Sequence, residues 1–251
     1  MPLDSIESSV LLVAAFFGGA LNAVAGGGSF LTLPALIFVG VPPVAANATG
    51  TVALLPGYGA SAWAYREELR GEGPLPLRAL VGLALLGGAL GAGLLLTTSD
   101  AVFRQLVPAL LLFATAIFAL GPALLRRLQR GGGHAKPLVY GFGVLTVSIY
   151  GGYFNGGLGI MLLAAFSLLG HGDINRMNAL KNLLSAVLTV IAVSLYAAGG
   201  AVVWSLAMVM VVSAIAGGYV GGRVGRRLPA GLIRAVVIGS GCVMAALFLV
   251  F

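Results

Sequence analysis

Apolar positions gather into ten blocks, at 8–25, 29–41, 43–65, 77–96, 101–125, 138–154, 158–169, 173–198, 201–222 and 230–251. Short breaks rich in glycine, proline or arginine separate them. A bilayer's hydrocarbon core is about 30 Å thick, and about 20 apolar residues in a helix cross it. Eight blocks have that length, the sixth only marginally. The second and seventh are a dozen or so residues long. At about 1.5 Å per residue they cover about 20 Å, so they read as re-entrant halves or as pieces of broken helices. The pattern predicts an all-α, polytopic integral membrane protein.

Composition sharpens this picture. Of 251 residues, 59% are apolar and 8% charged, against roughly a quarter charged in soluble domains. Fourteen basic and seven acidic residues give a net charge of +7. That balance does not signal nucleic acid, because the basic residues sit in short loops between apolar blocks. Arg126, Arg127, Arg130 and Lys136 lie in one such loop, and Arg223, Arg226, Arg227 and Arg234 surround another. Positive loops face the cytoplasm, so these two are expected inside together with the loop at 66–78, and both termini outside. Asp4 and Glu7 stand where a signal peptide would be positive, so the first block is expected to be retained. The single cysteine, Cys242, excludes an intrachain disulfide and reads as a packing residue facing lipid or a neighbouring helix.

The two halves of the chain repeat each other. GGALN at 18–22 matches GGYFN at 151–155, and each is followed by a glycine-rich stretch, Gly26-Gly27-Gly28 or Gly156-Gly157-Leu158-Gly159. Gly40 and Gly170, Gly87 and Gly217, and Arg104 and Arg234 share one offset of 130 residues. Five segments per half is an odd number of crossings, so the second repeat lies upside down relative to the first. The expected organisation is a first repeat at 1–125, a basic cytoplasmic linker at 126–137 and a second repeat at 138–251. Inverted repeats with glycine-interrupted segments at matching positions point to a secondary transporter and to its binding site.

Candidate chemistry follows from the same positions. Unwound backbone at Asn22 with Gly26, Gly27 and Gly28, and at Asn155 with Gly156 and Gly157, would present free N–H groups suited to an anion; close helix packing is the plainer reading of the glycines. A second polar pair, Asn47 with Thr51 and Asn178 with Asn182, has four-residue spacing and so shares a helix face. Such faces either bond neighbouring helices or line a substrate route. Lys181 lies eight residues into its block with no nearby intramembrane carboxylate, so it would serve an anionic substrate, or else snorkel to the interface. His171, beside Asp173 and Arg176, reads as a solvated interfacial residue. Tyr58, Trp63, Tyr65, Tyr150 and Tyr153 read mostly as an interfacial aromatic belt. The GxxxG spacings at 87–91 and 217–221 read as packing faces, internal or between subunits. No nucleotide-binding, nucleophilic or metal-ligating pattern is found, so no enzyme, cofactor or metal is expected.

The runs GGALNAVAGGGSFLTLPALIFVGVPPVAANATGT and GGYFNGGLGIMLLAAFSLLGHGDINRMNALKNLLSAV together make the chain resemble the sulfite exporter TauE/SafE family of membrane permeases. The resemblance covers nearly the whole chain. It implies about eight membrane helices, a bacterial inner-membrane location and transport of small sulfur-containing anions such as sulfite, organosulfonates or thiosulfate. The second half lacks the full GGG run and the Leu-Pro pair of the first. A passive anion channel and a membrane-assembly scaffold are the alternatives. The expected partners are the anion and the lipid bilayer, with no nucleic acid and with a homodimer left open.

Overall fold

A computed structural model describes residues 4–69, 75–128, 136–169, 173–224 and 230–250. Arg130, Gly170, His171, Arg226 and Arg227 lie outside the described residues. The described residues form ten α-helices: α1 (Ser5–Ala25), α2 (Ser29–Phe38), α3 (Pro43–Ala64), α4 (Leu77–Thr97), α5 (Asp100–Leu128), α6 (Pro137–Tyr153), α7 (Leu158–Leu168), α8 (Ile174–Ala198), α9 (Trp204–Val224) and α10 (Ala230–Val250), with a 3-10 turn at Arg66–Leu69. No strand occurs among the described residues.

The helix ends have local causes. Asp4 accepts from the Glu7 N–H at 2.7 Å while Glu7 accepts from the Asp4 N–H at 3.1 Å, a reciprocal cap that starts α1. Gly26 ends α1 in the left-handed conformation at φ 78°. Pro43 and Pro137 open α3 and α6, where a missing N–H costs nothing. Asp173 caps α8 by accepting from the Asn175 N–H at 2.9 Å. A long-range cap joins these: the Asp100 carboxylate, at the start of α5, accepts from the Val44 N–H of α3 at 2.9 Å.

Five helices, α1, α4, α5, α8 and α9, are long and apolar enough among the described residues to cross a membrane. The apolar blocks suggested eight. α3 has the length, at 22 residues, but its Asn/Thr/Gly cluster lowers its apolarity, and α6 has only 17. Leu86, Leu90, Leu94, Phe113, Val212 and Ile215 are exposed on the outside of the bundle, as a lipid-facing surface requires.

Two close seams organise the interior. On α4 and α6, a Cβ added to Gly91 would fall 2.7 Å from the Tyr153 nitrogen and 2.8 Å from the Gly152 carbonyl carbon, and Gly87 lies against Ser148. On α1 and α9, Gly217 lies against the Phe16 backbone, Gly19 against Ala214 and Gly221 against Ala20. The GxxxG faces are therefore used inside the molecule. In addition, α3 packs on α8, and α5 packs on α10.

The short helices fold back. Gly28 stands beside Leu54, and Thr32 beside Gly50, so α2 runs antiparallel to α3. The turn between α1 and α2 lies next to residues well inside α3. Similarly, Gly151 meets Leu158 and Gly143 meets Leu169, so α7 runs back along α6. Gly151 also approaches Leu188, deep within α8. Each half thus carries a helix–break–short-helix hairpin whose tip is level with the interior of a longer helix.

Candidate functional site

The two hairpin tips meet. A Cβ on Gly26 would lie 3.2 Å from the Gly159 Cα, and one on Gly157 would lie 3.5 Å from the Phe30 ring. Backbone at both tips takes the left-handed conformation, at Gly26, at Gly157 (φ 72°) and at Asn155 (φ 61°). Asparagine tolerates that region better than other residues with a side chain.

Tyr58 of α3 joins the tips. Its hydroxyl donates to Asn155 Oδ1 at 3.1 Å and also interacts with the Asn22 side chain. Asn22 Nδ2 lies 3.6 Å from where a Cβ on Gly57 would stand, one residue from Tyr58. The matching asparagines of the two halves thus converge on one phenol. Tyr58 is 5% exposed and Asn155 1%. The sequence pattern placed Tyr58 in an interfacial aromatic belt, and the structure corrects this: of the five residues assigned to it, Trp63 and Tyr65 alone are exposed as such a belt requires. Its place beside Gly57 and Gly59, small residues that let neighbours approach, was the signal available.

Polar atoms around the tips lack partners. Asn22 Oδ1 and Asn155 Nδ2 are buried without a hydrogen bond. Gly27, Gly28, Gly156 and Gly157 are buried, and none of their N–H groups forms a hydrogen bond among the described residues. Buried backbone N–H groups are almost always paired, so several free donors at one place are unusual. The Gly156 carbonyl accepts from the Tyr150 hydroxyl at 2.7 Å, which braces the second tip. Tyr196 likewise donates to the Gly152 carbonyl.

The second polar pair divides. Asn47 Nδ2 donates to the Tyr153 carbonyl at the end of α6, at 3.1 Å, and Thr51 donates to the Asn47 carbonyl at 2.8 Å. Thr49 accepts from the Val203 N–H at 3.0 Å. Asn47 and Thr49 therefore tie α3 to other segments, while Thr51 bonds within α3. On α8, Asn178 and Asn182 share a face with Ser185 and Thr189, and the last two are buried hydroxyls without a partner. Lys181 is half-buried and forms no ion pair among the described residues. It stands two turns nearer the start of α8 than Leu188, about 10 Å along the axis. Among the described residues no cluster of His, Cys, Asp or Glu is suited to a metal ion.

Known proteins of similar sequence agree in kind. The chain is 28% identical over 242 residues to a Haemophilus influenzae protein described as "Probable membrane transporter protein", covering 95% of this chain and 92% of that one. It is 30% identical over 244 residues to Escherichia coli K12 "Probable membrane transporter protein YfcA", covering 94% and 87%. A Sinorhizobium protein described as "Probable membrane transporter protein ORF9" is 27% identical over 232 residues, covering 91% and 87%. No solved structure matches the chain. The family model "Sulfite exporter TauE/SafE" matches residues 11–248, and with nearly its whole length in register the chain belongs to that family of membrane transporters.

Proposed function

We propose that this protein is a secondary transporter of small sulfur-containing anions, such as sulfite or organosulfonates, with the anion held where the two hairpin tips meet. The observation that carries this reading is the set of buried, unbonded donors there: the N–H groups of Gly27, Gly28, Gly156 and Gly157 and Asn155 Nδ2. An oxyanion is the ligand that such donors suit, and the starts of α2 and α7 add the favourable end of the helix dipole. Desolvated donors of this kind hold an anion without a fixed counter-charge, so it can also leave.

The helix pairings support two inverted repeats. Raising each helix number by five turns the α1–α9 seam into the α6–α4 seam, and the α3–α9 contact into α8–α4. The α3–α8 and α5–α10 pairs map onto themselves. A pseudo-two-fold through the meeting point of the tips accounts for all four. With α3 crossing the bilayer, tips level with Leu54 and Leu188 fall near its middle, where such transporters bind substrate. The orientation that puts the basic loops inside has α8 start at the cytoplasmic face. Lys181 then lies on the cytoplasmic approach, with Asn178, Asn182, Ser185 and Thr189 lining the way to the tips.

Purified protein in proteoliposomes tests this. Sulfite flux that saturates and shows counterflow is expected, as is a clear loss of flux at low sulfite in Lys181→Ala. Wild-type flux in Lys181→Ala would remove the lysine from the route. Flux that never saturates would favour a channel.

A further inference from the structure

Tyr58 does more than join the two tips, because a hydroxyl has direction. It carries one proton and can donate once, while its oxygen can accept. The proton goes to Asn155 Oδ1 at 3.1 Å. The Asn155 amide is thereby fixed with Nδ2 turned away from Tyr58, and that Nδ2 is buried without a partner. At Asn22 the arrangement is reversed. Asn22 Oδ1 is the unpartnered atom, so Nδ2 is the atom left to meet the Tyr58 oxygen. The two asparagines are the same residue type at matching places in the two halves, yet they present opposite groups. One shows a hydrogen-bond donor and the other an acceptor.

We infer that Tyr58, by setting the polarity of the two asparagine amides, makes the site select an oxyanion that still carries a proton. This rests on the anion-binding reading above and narrows it to one class of ligand. A monoprotonated oxyanion such as hydrogensulfite accepts from Asn155 Nδ2 and the four glycine N–H groups through its bare oxygens, and donates its own O–H to Asn22 Oδ1. A sulfonate has the same charge and the same three-oxygen head, but all three oxygens are bare, and a carbon sits on the sulfur where hydrogensulfite has a lone pair. It leaves Asn22 Oδ1 buried and unpaired. Sites that hydrogen-bond a ligand hydroxyl reject analogues lacking it far more strongly than pockets reject a change of size. A proton-free dianion fares no better, since its oxygens can only accept and meet the Asn22 carbonyl oxygen head-on. Tyr58 is a positioning residue in this scheme and does not touch the anion.

Competition in proteoliposomes tests the inference with two probes of nearly equal size. Uptake of radiolabelled sulfite is measured at mildly acidic pH, where the monoanion prevails, against unlabelled sulfite and against methanesulfonate. Half-inhibition is expected to need at least about tenfold more methanesulfonate than sulfite. In Tyr58→Phe the amides lose their fixed direction, and the gap is expected to fall below about threefold. Asn22→Ala, which removes the acceptor, should narrow it in the same way. Thermal melting in detergent establishes that each variant is folded, and the wild-type comparison tests the ligand class even where a variant does not fold. Equal inhibition by methanesulfonate in the wild type overturns the inference while leaving anion transport in place. A gap that persists in folded Tyr58→Phe overturns the role of Tyr58. Absence of saturable uptake of either anion by the wild type overturns the anion reading, and this inference with it.

Discussion

Alanine at Gly91 and alanine at Gly93, two residues apart on α4, should move stability in opposite directions. A Cβ at Gly91 would stand 2.7 Å from the Tyr153 nitrogen and 2.8 Å from the Gly152 carbonyl carbon, with the Ile149 carbonyl oxygen nearer still. These are backbone atoms of α6, which cannot turn aside as a side-chain end can. The helices must separate, and overpacking of this kind costs about 1–3 kcal/mol. Alanine returns about 0.5–1 kcal/mol relative to glycine within a helix, leaving a net loss of about 1 kcal/mol at the middle of these ranges and about 2.5 kcal/mol at most. A Cβ at Gly93 meets nothing within 4 Å, so only the gain of about 0.5–1 kcal/mol remains there. For a chain of this size each kcal/mol shifts Tm by about 2–4 °C. Gly91→Ala should therefore melt about 2–10 °C lower, and Gly93→Ala about 1–4 °C higher, in fluorescence-detected unfolding of detergent-purified protein. Shifts of the same sign and similar size in both would refute the close α4–α6 seam.

Two further substitutions test the long-range ties. Asp100→Ala removes the carboxylate that accepts from the Val44 N–H and should cost about 0.5–2 kcal/mol, as loss of a helix N-cap does, with Asp100→Asn milder in the same melting assay. Asn47→Ala strips the donor from the Tyr153 carbonyl at the end of α6. It should cost about 1–3 kcal/mol, read as a lower midpoint in thermal melting.

The helices were legible because membrane segments are long, apolar and interrupted by strong chain breakers. The α2 block ran three residues too far, to 41, because Val39 and Val41 are apolar although the helix ends at Phe38. The α5 block stopped short at 125, because arginines look like the start of a loop although the helix runs on to Leu128. The recurrence of Asn22 and Asn155 beside glycines pointed to the breaks that follow α1 and α6, although Asn22 itself is not unwound but lies in the last turn of α1. What the sequence pattern could not supply was which third residue lies between them. Tyr58 is distant along the chain from Asn155, and a tyrosine near the end of an apolar block has the same local pattern at an interface or in a core. For the same reason the pattern left Asn47 open between bonding a neighbouring helix and lining a route; its amide nitrogen supports the end of α6.

The seam between α1 and α9 bears on how the protein is made. Its glycines lie against the opposite helix at Phe16, Ala20 and Ala214, and α9 is completed at Val224, about 200 residues after α1 ends at Ala25. At roughly 5–20 residues per second of synthesis, the first helix leaves the ribosome roughly 10–40 s before its partner exists. The α4–α6 seam closes after a much shorter interval. Throughout that wait the notched face of α1 is without its protein neighbour, and lipid or the insertion machinery must cover it. Assembly is thus timed by the last third of the chain, and a ribosome that stalls before Trp204 leaves the first helix in the bilayer without its mate.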